Sequence, residues 1–296
     1  MLSMLFWSFS FIWFKMANES YRPITIVFLR LVMSLVFLTS YLYVKKKFIK
    51  IRKEDIKLFL MLAIFEPFLY FLGESYGLTY VSATVGSVLI STIPVIAAIG
   101  AWIFFKERLR FINYAGIILS FTGILIFIIN KNGTISFNIK GISLLMLAVF
   151  SAAGYNLTLS RLVGHYSPVF IVNFQNCIGS IFFLPIFLVF ELNHLVNTPF
   201  SLDSFIPIIA LAVFASCGAF ILFAFSVRNM GVTKANVFTN FIPVFTALFS
   251  FVILGDKLTL QNITGMVIVI AGLIMSQLNG RKKKSDEAFI LTGKTA

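Results

Sequence analysis

Residues 94–123 read PVIAAIGAWIFFKERLRFINYAGIILSFTG, and residues 243–272 read PVFTALFSFVILGDKLTLQNITGMVIVIAG. The two stretches share a proline, an acidic residue, a leucine and two glycines in the same order and at the same spacing. Each matching pair is 149 residues apart, as in Pro94 and Pro243, Glu107 and Asp256, Leu109 and Leu258, Gly116 and Gly265, and Gly123 and Gly272. This shared register predicts that the chain consists of two copies of one design.

The composition places both copies in a lipid bilayer. Of 296 residues, 59% are hydrophobic and only 12% are charged, whereas about a quarter of the residues in soluble domains are charged. The net charge of +13 lies in short runs between apolar segments, a pattern typical of topology signals and of contacts with anionic lipid. We therefore expect membrane lipid as a partner and no nucleic acid.

Ten apolar stretches have the length of membrane spans or approach it. They are residues 2–17, 23–44, 57–76, 81–105, 111–129, 141–161, 168–190, 205–227, 232–254 and 260–278. The first stretch is shorter than the roughly 20 residues that a bilayer requires. It lacks the basic leader and small-residue cleavage site of a signal peptide, so we interpret it as a retained span. The predicted fold is an all-α membrane protein with ten transmembrane helices.

The basic residues predict the orientation of these spans. With both termini in the cytoplasm, 18 Lys and Arg residues lie inside, five lie outside, and Arg30 lies within a span. Positive charge resists translocation, so this orientation and a location in the inner (plasma) membrane are expected. Five spans per copy is an odd number, which predicts that the second copy is inverted relative to the first. The predicted units are residues 1–140, 141–280 and a cytoplasmic basic tail at 281–296.

Inverted repeats allow secondary transporters to build one site that is accessible from either side of the membrane. The expected site is a cavity between the two halves, near the bilayer centre. Pro94 and Pro243 fall near that level and each removes one helical hydrogen bond, so we predict that they act as hinges.

Polar side chains share a helix face with each of these prolines. Ser87 and Ser91 precede Pro94 at helical spacing, and Asn236 and Asn240 precede Pro243 at the same positions of the second copy. Polar groups on membrane helices face the protein interior or an aqueous cavity. We predict that all four bind substrate; the alternative is that they only join helices by hydrogen bonds.

The third span carries Glu66, Tyr70 and Glu74 at positions i, i+4 and i+8, which predicts one shared face. A charge at the bilayer centre costs at least about 2.5 kcal/mol, so each carboxylate is expected to have a binding partner or a function that offsets this cost. Glu66 is the deeper one, and we interpret it as a group that binds a proton or an amine, with Tyr70 beside it. The alternative is a protonated, hydrogen-bonded glutamic acid that supports a kink at Pro67.

Arg30 in the second span lies at a depth similar to that of Glu74. We predict that the two form an intramembrane ion pair, with Lys15 as a competing partner of Glu74. In the sixth span, Tyr155 and Asn156 are further candidates for substrate binding, because aromatic walls with a few amides suit small amphipathic solutes.

Together these motifs resemble the EamA-like, ten-helix members of the drug/metabolite transporter superfamily. The resemblance rests on the proline, acidic and glycine motifs quoted above, on the turn at residues 77–84 and on the start of the second span at residues 23–30. It implies a cavity lined by spans 1, 3, 4, 6, 8 and 9. Trp7-Ser8 replaces a Trp-Gly pair that is common in the family, and Glu66-Pro67 stands where small residues are usual.

The resemblance favours a secondary transporter that exports amino acids or similar amphipathic metabolites, driven by the solute gradient or by protons. An intramembrane enzyme would need a constellation such as H-E-x-x-H or a serine with a nearby histidine in the membrane, and His165 and His194 both lie between spans. Cys177 and Cys217 form no metal or disulfide motif, so neither metal nor cofactor is expected. A flippase for lipid or polyprenyl carriers is the alternative, and its cavity would open sideways to lipid.

Overall fold

The computed structural model describes residues 1–96, 111–128, 138–256 and 259–276, and the regular secondary structure in these ranges is helical, with no strand. Ten helices follow one another: α1 (Leu2–Ala17), α2 (Pro23–Val44), α3 (Lys53–Tyr80), α4 (Ala83–Ile96), α5 (Phe111–Ile128), α6 (Ile139–Leu162), α7 (Pro168–Phe190), α8 (Leu202–Met230), α9 (Lys234–Leu254) and α10 (Leu260–Ser276). A short helix, Leu192–Asn197, precedes α8. The all-α class is confirmed for these residues. Glu107, Leu109, Leu258 and the tail at 281–296 lie outside the described residues.

Six of the helices, α2, α3, α6, α7, α8 and α9, are long and apolar enough to cross a membrane. The other four described helices, α1, α4, α5 and α10, are also apolar but shorter. A multi-pass membrane protein is therefore established, while ten crossings and the inversion of the second copy stay predictions.

Several helices begin where proline or serine favours a first turn. Pro23 opens α2 and Pro168 opens α7, at positions where the missing amide hydrogen is not needed. The Ser167 hydroxyl also accepts a hydrogen bond from the Phe170 amide at 3.3 Å. Ser82 does the same at the start of α4. Such caps pair amides that have no partner within the helix.

Helix α3 is broken in its middle. Glu66 has extended backbone angles (φ −147°, ψ 121°), and the segment Ile64–Leu69 around it forms wide turns. A proline has no amide hydrogen and pushes the preceding residue towards extended geometry, so Pro67 accounts for the break. The regular helical spacing expected from Glu66 to Tyr70 is therefore wrong, although Tyr70 and Glu74 do share one regular helix.

Helices α4 and α9 are interrupted at matching places. The first regular segment of α4 ends at Ile90, and Pro94 lies in the short segment that follows. In α9 a tight 3₁₀ segment, Phe238–Phe241, comes before the helix that contains Pro243. Both predicted hinge prolines thus lie in the first turn after a break.

The repeated glycines bring α5 and α10 into close backbone contact. A Cβ atom on Gly116 would collide with the backbone of Ser276, and one on Gly272 would collide with the backbone of Ser120. Small residues allow membrane helices to approach in this way. Elsewhere α2 packs on α7, α3 on α6, α1 on α8, and α4 on α9.

Candidate functional site

A cavity of about 50 Å³ lies among α1, α3, α4, α6, α8 and α9. All six helices that the resemblance implied contribute lining residues, and α2 adds Arg30. A large aromatic part of the wall is formed by Trp7, Phe11, Phe71, Phe220 and Phe223. Such a wall suits the apolar part of a small solute.

The charged end of this cavity is formed by Arg30, Glu66, Tyr70 and Glu74, all of which border it. Each of the four is at most 8% exposed. The Tyr70 hydroxyl donates a hydrogen bond to Glu74 Oε1 at 2.9 Å. The structure thus brings the three predicted residues of α3 to one place despite the break in that helix.

Two neighbouring residues, Ser216 and Phe71, hold the Arg30 side chain in place. Its Nε–H donates to Ser216 Oγ on α8 at 2.8 Å, and its guanidinium carbon lies 4.2 Å from the centre of the Phe71 ring. No Arg30 nitrogen lies within 4.0 Å of a Glu74 oxygen, both residues being within the described part of the chain. The direct ion pair predicted for them is therefore wrong, because Ser216 and Phe71 hold the guanidinium and Tyr70 occupies a Glu74 oxygen.

Lys15, the competing partner considered for Glu74, donates instead to the backbone carbonyl of Leu78 near the end of α3. Within the described residues, the terminal nitrogens of Arg30 and the carboxylate oxygens of Glu66 have no protein hydrogen-bond partner. Because both side chains border the cavity, these atoms are available to a solute.

A second polar part of the cavity lining joins α6 to α9. Asn156 Nδ2 donates to Asn236 Oδ1 at 3.4 Å, and both residues line the cavity together with Tyr155 and Thr239. Asn240, predicted beside Asn236, does not line it. The 3₁₀ segment has three residues per turn, so Thr239 follows Asn236 on this face instead. The Asn240 amide is buried, and neither of its polar atoms has a partner in the described structure.

Ser87 and Ser91 are buried but do not border the cavity. Their hydroxyls donate to carbonyls three residues earlier in α4, at 2.8 and 2.7 Å. Short hydroxyl side chains often bond to their own helix in this way. The prediction that these two serines line the substrate cavity is therefore wrong.

The repeat is nevertheless visible in the lining. Ile90 and Ile93 of α4 border the cavity, and so do Thr239 and Ile242 of α9, each 149 residues later. The prolines Pro94 and Pro243 are buried beside these positions without lining the cavity. From α1, Ser10 lines the cavity with Trp7.

Three groups of site residues were not anticipated from sequence. Phe71, Phe220 and Phe223 carried no signal among 36 phenylalanines. Ile90 and Ile93 could not be singled out, because they are apolar residues in an apolar helix. Ser216 was overlooked, although a serine within an apolar span is itself a signal. Among the described residues, no group of three or more His, Cys, Asp or Glu could hold a metal ion.

The family model of the EamA-like transporters matches residues 1–129 and 139–278, which is nearly the whole chain. The chain belongs to the EamA-like transporter family. The resemblance inferred from its motifs is thus confirmed. The protein is a membrane transporter, and its family implies a small-molecule substrate.

Curated relatives carry the same description. An uncharacterized transporter of Archaeoglobus fulgidus is 26% identical over 279 residues, which cover 93% of this chain and 94% of that protein. The uncharacterized transporter YetK of Bacillus subtilis is 27% identical, with 88% of this chain and 78% of that protein covered. A protein of known crystal structure has 12% identity, a TM-score of 0.66 and 94% coverage of both chains, which shows a shared fold.

Proposed function

We propose that this transporter exports small amphipathic solutes, namely amino acids or similar metabolites, by alternating access around the central cavity. The observation that carries the proposal is that one guanidinium and one carboxylate, both free to bind a solute, border the same aromatic cavity. These are Arg30 and Glu66, both bordering the cavity and both buried.

The two charges complement a zwitterion. A guanidinium binds a carboxylate through two parallel hydrogen bonds, so Arg30 receives the acidic group of the solute. Glu66 receives the ammonium group, and it takes up a proton when the solute leaves. Tyr70, Tyr155, Asn156 and Asn236 supply further polar contacts to the solute. Burial of apolar surface against the aromatic wall contributes about 25 cal/mol per Å².

Export by rocking of two inverted halves is supported by the packing. Helices at equivalent places of the two copies pair with each other, α2 with α7, α4 with α9 and α5 with α10, and the α1–α8 contact has its equivalent in α6–α3. This is the pairing expected of ten spans related by a two-fold axis in the membrane plane. Pro94 and Pro243 serve as hinges beside the cavity, and the distribution of basic residues supports cytoplasmic termini in the plasma membrane.

The test is transport by purified protein in liposomes, with and without a pH gradient. Amino acids, nucleobases and cationic drugs are supplied as labelled solutes. We expect saturable transport of zwitterionic amino acids, with Glu66→Gln abolishing its response to the pH gradient. Glu54→Gln is the matched control, because the Glu54 side chain is 76% exposed. Movement of labelled lipid without any solute transport would instead support a flippase and contradict the proposal.

A further inference from the structure

Ser216 contacts Arg30 but is not among the residues that line the cavity. It is fully buried, and its hydroxyl accepts the Arg30 Nε–H at 2.8 Å. We propose that Ser216 is a positioning residue, which orients the Arg30 guanidinium so that its two terminal nitrogens select solutes carrying a free carboxylate. This inference rests on the proposed function and names a residue outside the cavity lining as a determinant of its specificity.

The orientation follows from the planarity of the guanidinium. Ser216 fixes the Nε edge of the group, and the Phe71 ring covers one face at 4.2 Å from the guanidinium carbon. A rigid plane held at one edge and on one face has a single edge left, and that edge carries the two terminal nitrogens. Without Ser216 the group could rotate towards Glu74, which borders the same cavity, and would then be neutralised by the protein itself.

Ser216 is itself held in place by a buried polar network across three helices. Its carbonyl accepts a hydrogen bond from Asn176 Nδ2 of α7 at 3.5 Å. Asn176 Nδ2 also donates to Ser34 Oγ of α2 at 2.6 Å, and Ser34 Oγ lies 3.0 Å from Cys217 Sγ of α8. All of these residues are buried. Polar groups inside a bilayer must find partners within the protein, so this network gives Ser216 one stable position.

The local backbone of α8 supports the same role. Ser216 and Cys217 lie in a segment of wide helical turns, Leu211–Ala219. Wide turns of this kind change the face on which the following side chains project and are frequent at functional sites. The segment packs against both α1 and α2, so it lies beside the helix that carries Arg30.

The functional test compares L-phenylalanine, its methyl ester and phenethylamine as probes in liposomes. Native protein is expected to prefer phenylalanine to the two probes that lack a carboxylate. A hydrogen bond to a charged group contributes about 1.5–3 kcal/mol, so Ser216→Ala should reduce this preference at least about tenfold. The reduction should come from a higher KM for phenylalanine, with the maximal rate and the KM for phenethylamine unchanged. Ser216→Thr, which keeps the hydroxyl, should restore the preference.

The matched control is Ser226→Ala. Ser226 lies on the same helix, and its hydroxyl donates to the Leu222 carbonyl at 2.8 Å, away from Arg30. It should leave every KM unchanged. If Ser216→Ala and Ser226→Ala behave alike, the inference is overturned while the proposed function stands. If native protein does not distinguish phenylalanine from its ester, recognition by Arg30 fails, and both the proposed function and the inference fall.

A second measurement needs no solute. In protein labelled with ¹⁵N-arginine and held in nanodiscs, the Arg30 Nε–H resonance is assigned from its loss in Arg30→Lys. Its hydrogen should exchange slowly with D₂O in native protein and in Ser226→Ala, and faster in Ser216→Ala. Equal exchange in all three would overturn the inference, even if Ser216→Ala were inactive for another reason.

Discussion

Glu191 accepts hydrogen bonds from both the backbone amide and the hydroxyl of Thr25, at 2.6 and 2.8 Å. The Ile24 amide donates to the same carboxylate at 3.2 Å. Glu191 directly follows α7, and Thr25 lies in the first turn of α2, so one side chain joins the two helices. The first turn of a helix has unpaired amides and the positive end of the helix dipole, which explains how a carboxylate only 3% exposed is accommodated there.

Replacing Glu191 by Gln should destabilise the protein. The substitution removes the charge and turns one of the two accepting oxygens into a donor that faces amide donors. Hydrogen bonds to charged groups contribute about 1.5–3 kcal/mol, so the melting temperature in detergent should fall clearly. Glu19→Gln is the matched control, since Glu19 is exposed. A melting temperature as high as that of the control would show that this contact is energetically unimportant.

A related contact lies at the start of α7. The Tyr166 hydroxyl donates to Asp55 Oδ2 at 2.7 Å and accepts from the Arg52 amide at 3.1 Å. Tyr166→Phe removes both bonds and should lower the free energy of unfolding by about 1–3 kcal/mol, as measured by thermal melting. Tyr43→Phe provides the control, because Tyr43 is 77% exposed.

The contribution of Tyr166 should also depend on pH. Burial is the largest cause that raises the pKa of the Tyr166 phenol above its ordinary value of 10.0; the Arg52 amide opposes it and the hydrogen bond to Asp55 adds to it. The folded protein therefore holds this proton more tightly than the unfolded chain does, and stability falls with pH where only the unfolded chain has lost it. The difference in melting temperature between native protein and Tyr166→Phe should be constant below about pH 10 and shrink above it. A difference that grows at alkaline pH would contradict this assignment.

Two asparagines of α9 should behave differently. Asn236 lines the cavity and is bonded to Asn156, whereas Asn240 is buried outside it without a partner in the described structure. Asn236→Ala should raise the KM of the transported solute about tenfold, as expected for a lost hydrogen bond of about 1.4 kcal/mol. Asn240→Leu should leave KM unchanged and should not lower the melting temperature, because it replaces an unpaired buried amide by an apolar group of similar size. Equal KM changes in both variants would exclude the assigned geometry.

The α5–α10 contact should not tolerate a larger side chain at Gly116. A Cβ atom there would collide with the backbone of Ser276, and overpacking costs about 1–3 kcal/mol. Gly116→Val should therefore reduce the yield of monodisperse protein in size-exclusion chromatography and lower its melting temperature. Gly164→Ala serves as the control, since no atom lies within 4 Å of a Cβ added at Gly164. Unchanged behaviour of Gly116→Val would mean that the two helices are not in backbone contact.

Much of the cavity could be predicted because charges and amides are conspicuous in apolar helices. Glu66, Asn156 and Asn236 were predicted on that ground, and all of them border it. Three predicted positions do not line the cavity, for two different reasons. The tight segment Phe238–Phe241 turned Asn240 away, and the hydroxyls of α4 bonded to their own helix.

By itself the sequence determined that the chain is a membrane protein and that two of its stretches share residues 149 positions apart, because composition and residue spacing are properties of the chain alone. It also determined which ionisable groups are in the apolar helices. Only the tertiary structure decided which of these groups meet. Arg30 contacts Ser216, 186 residues away, and not Glu74, because the partner of a side chain depends on how separate helices pack and where their turns widen or tighten.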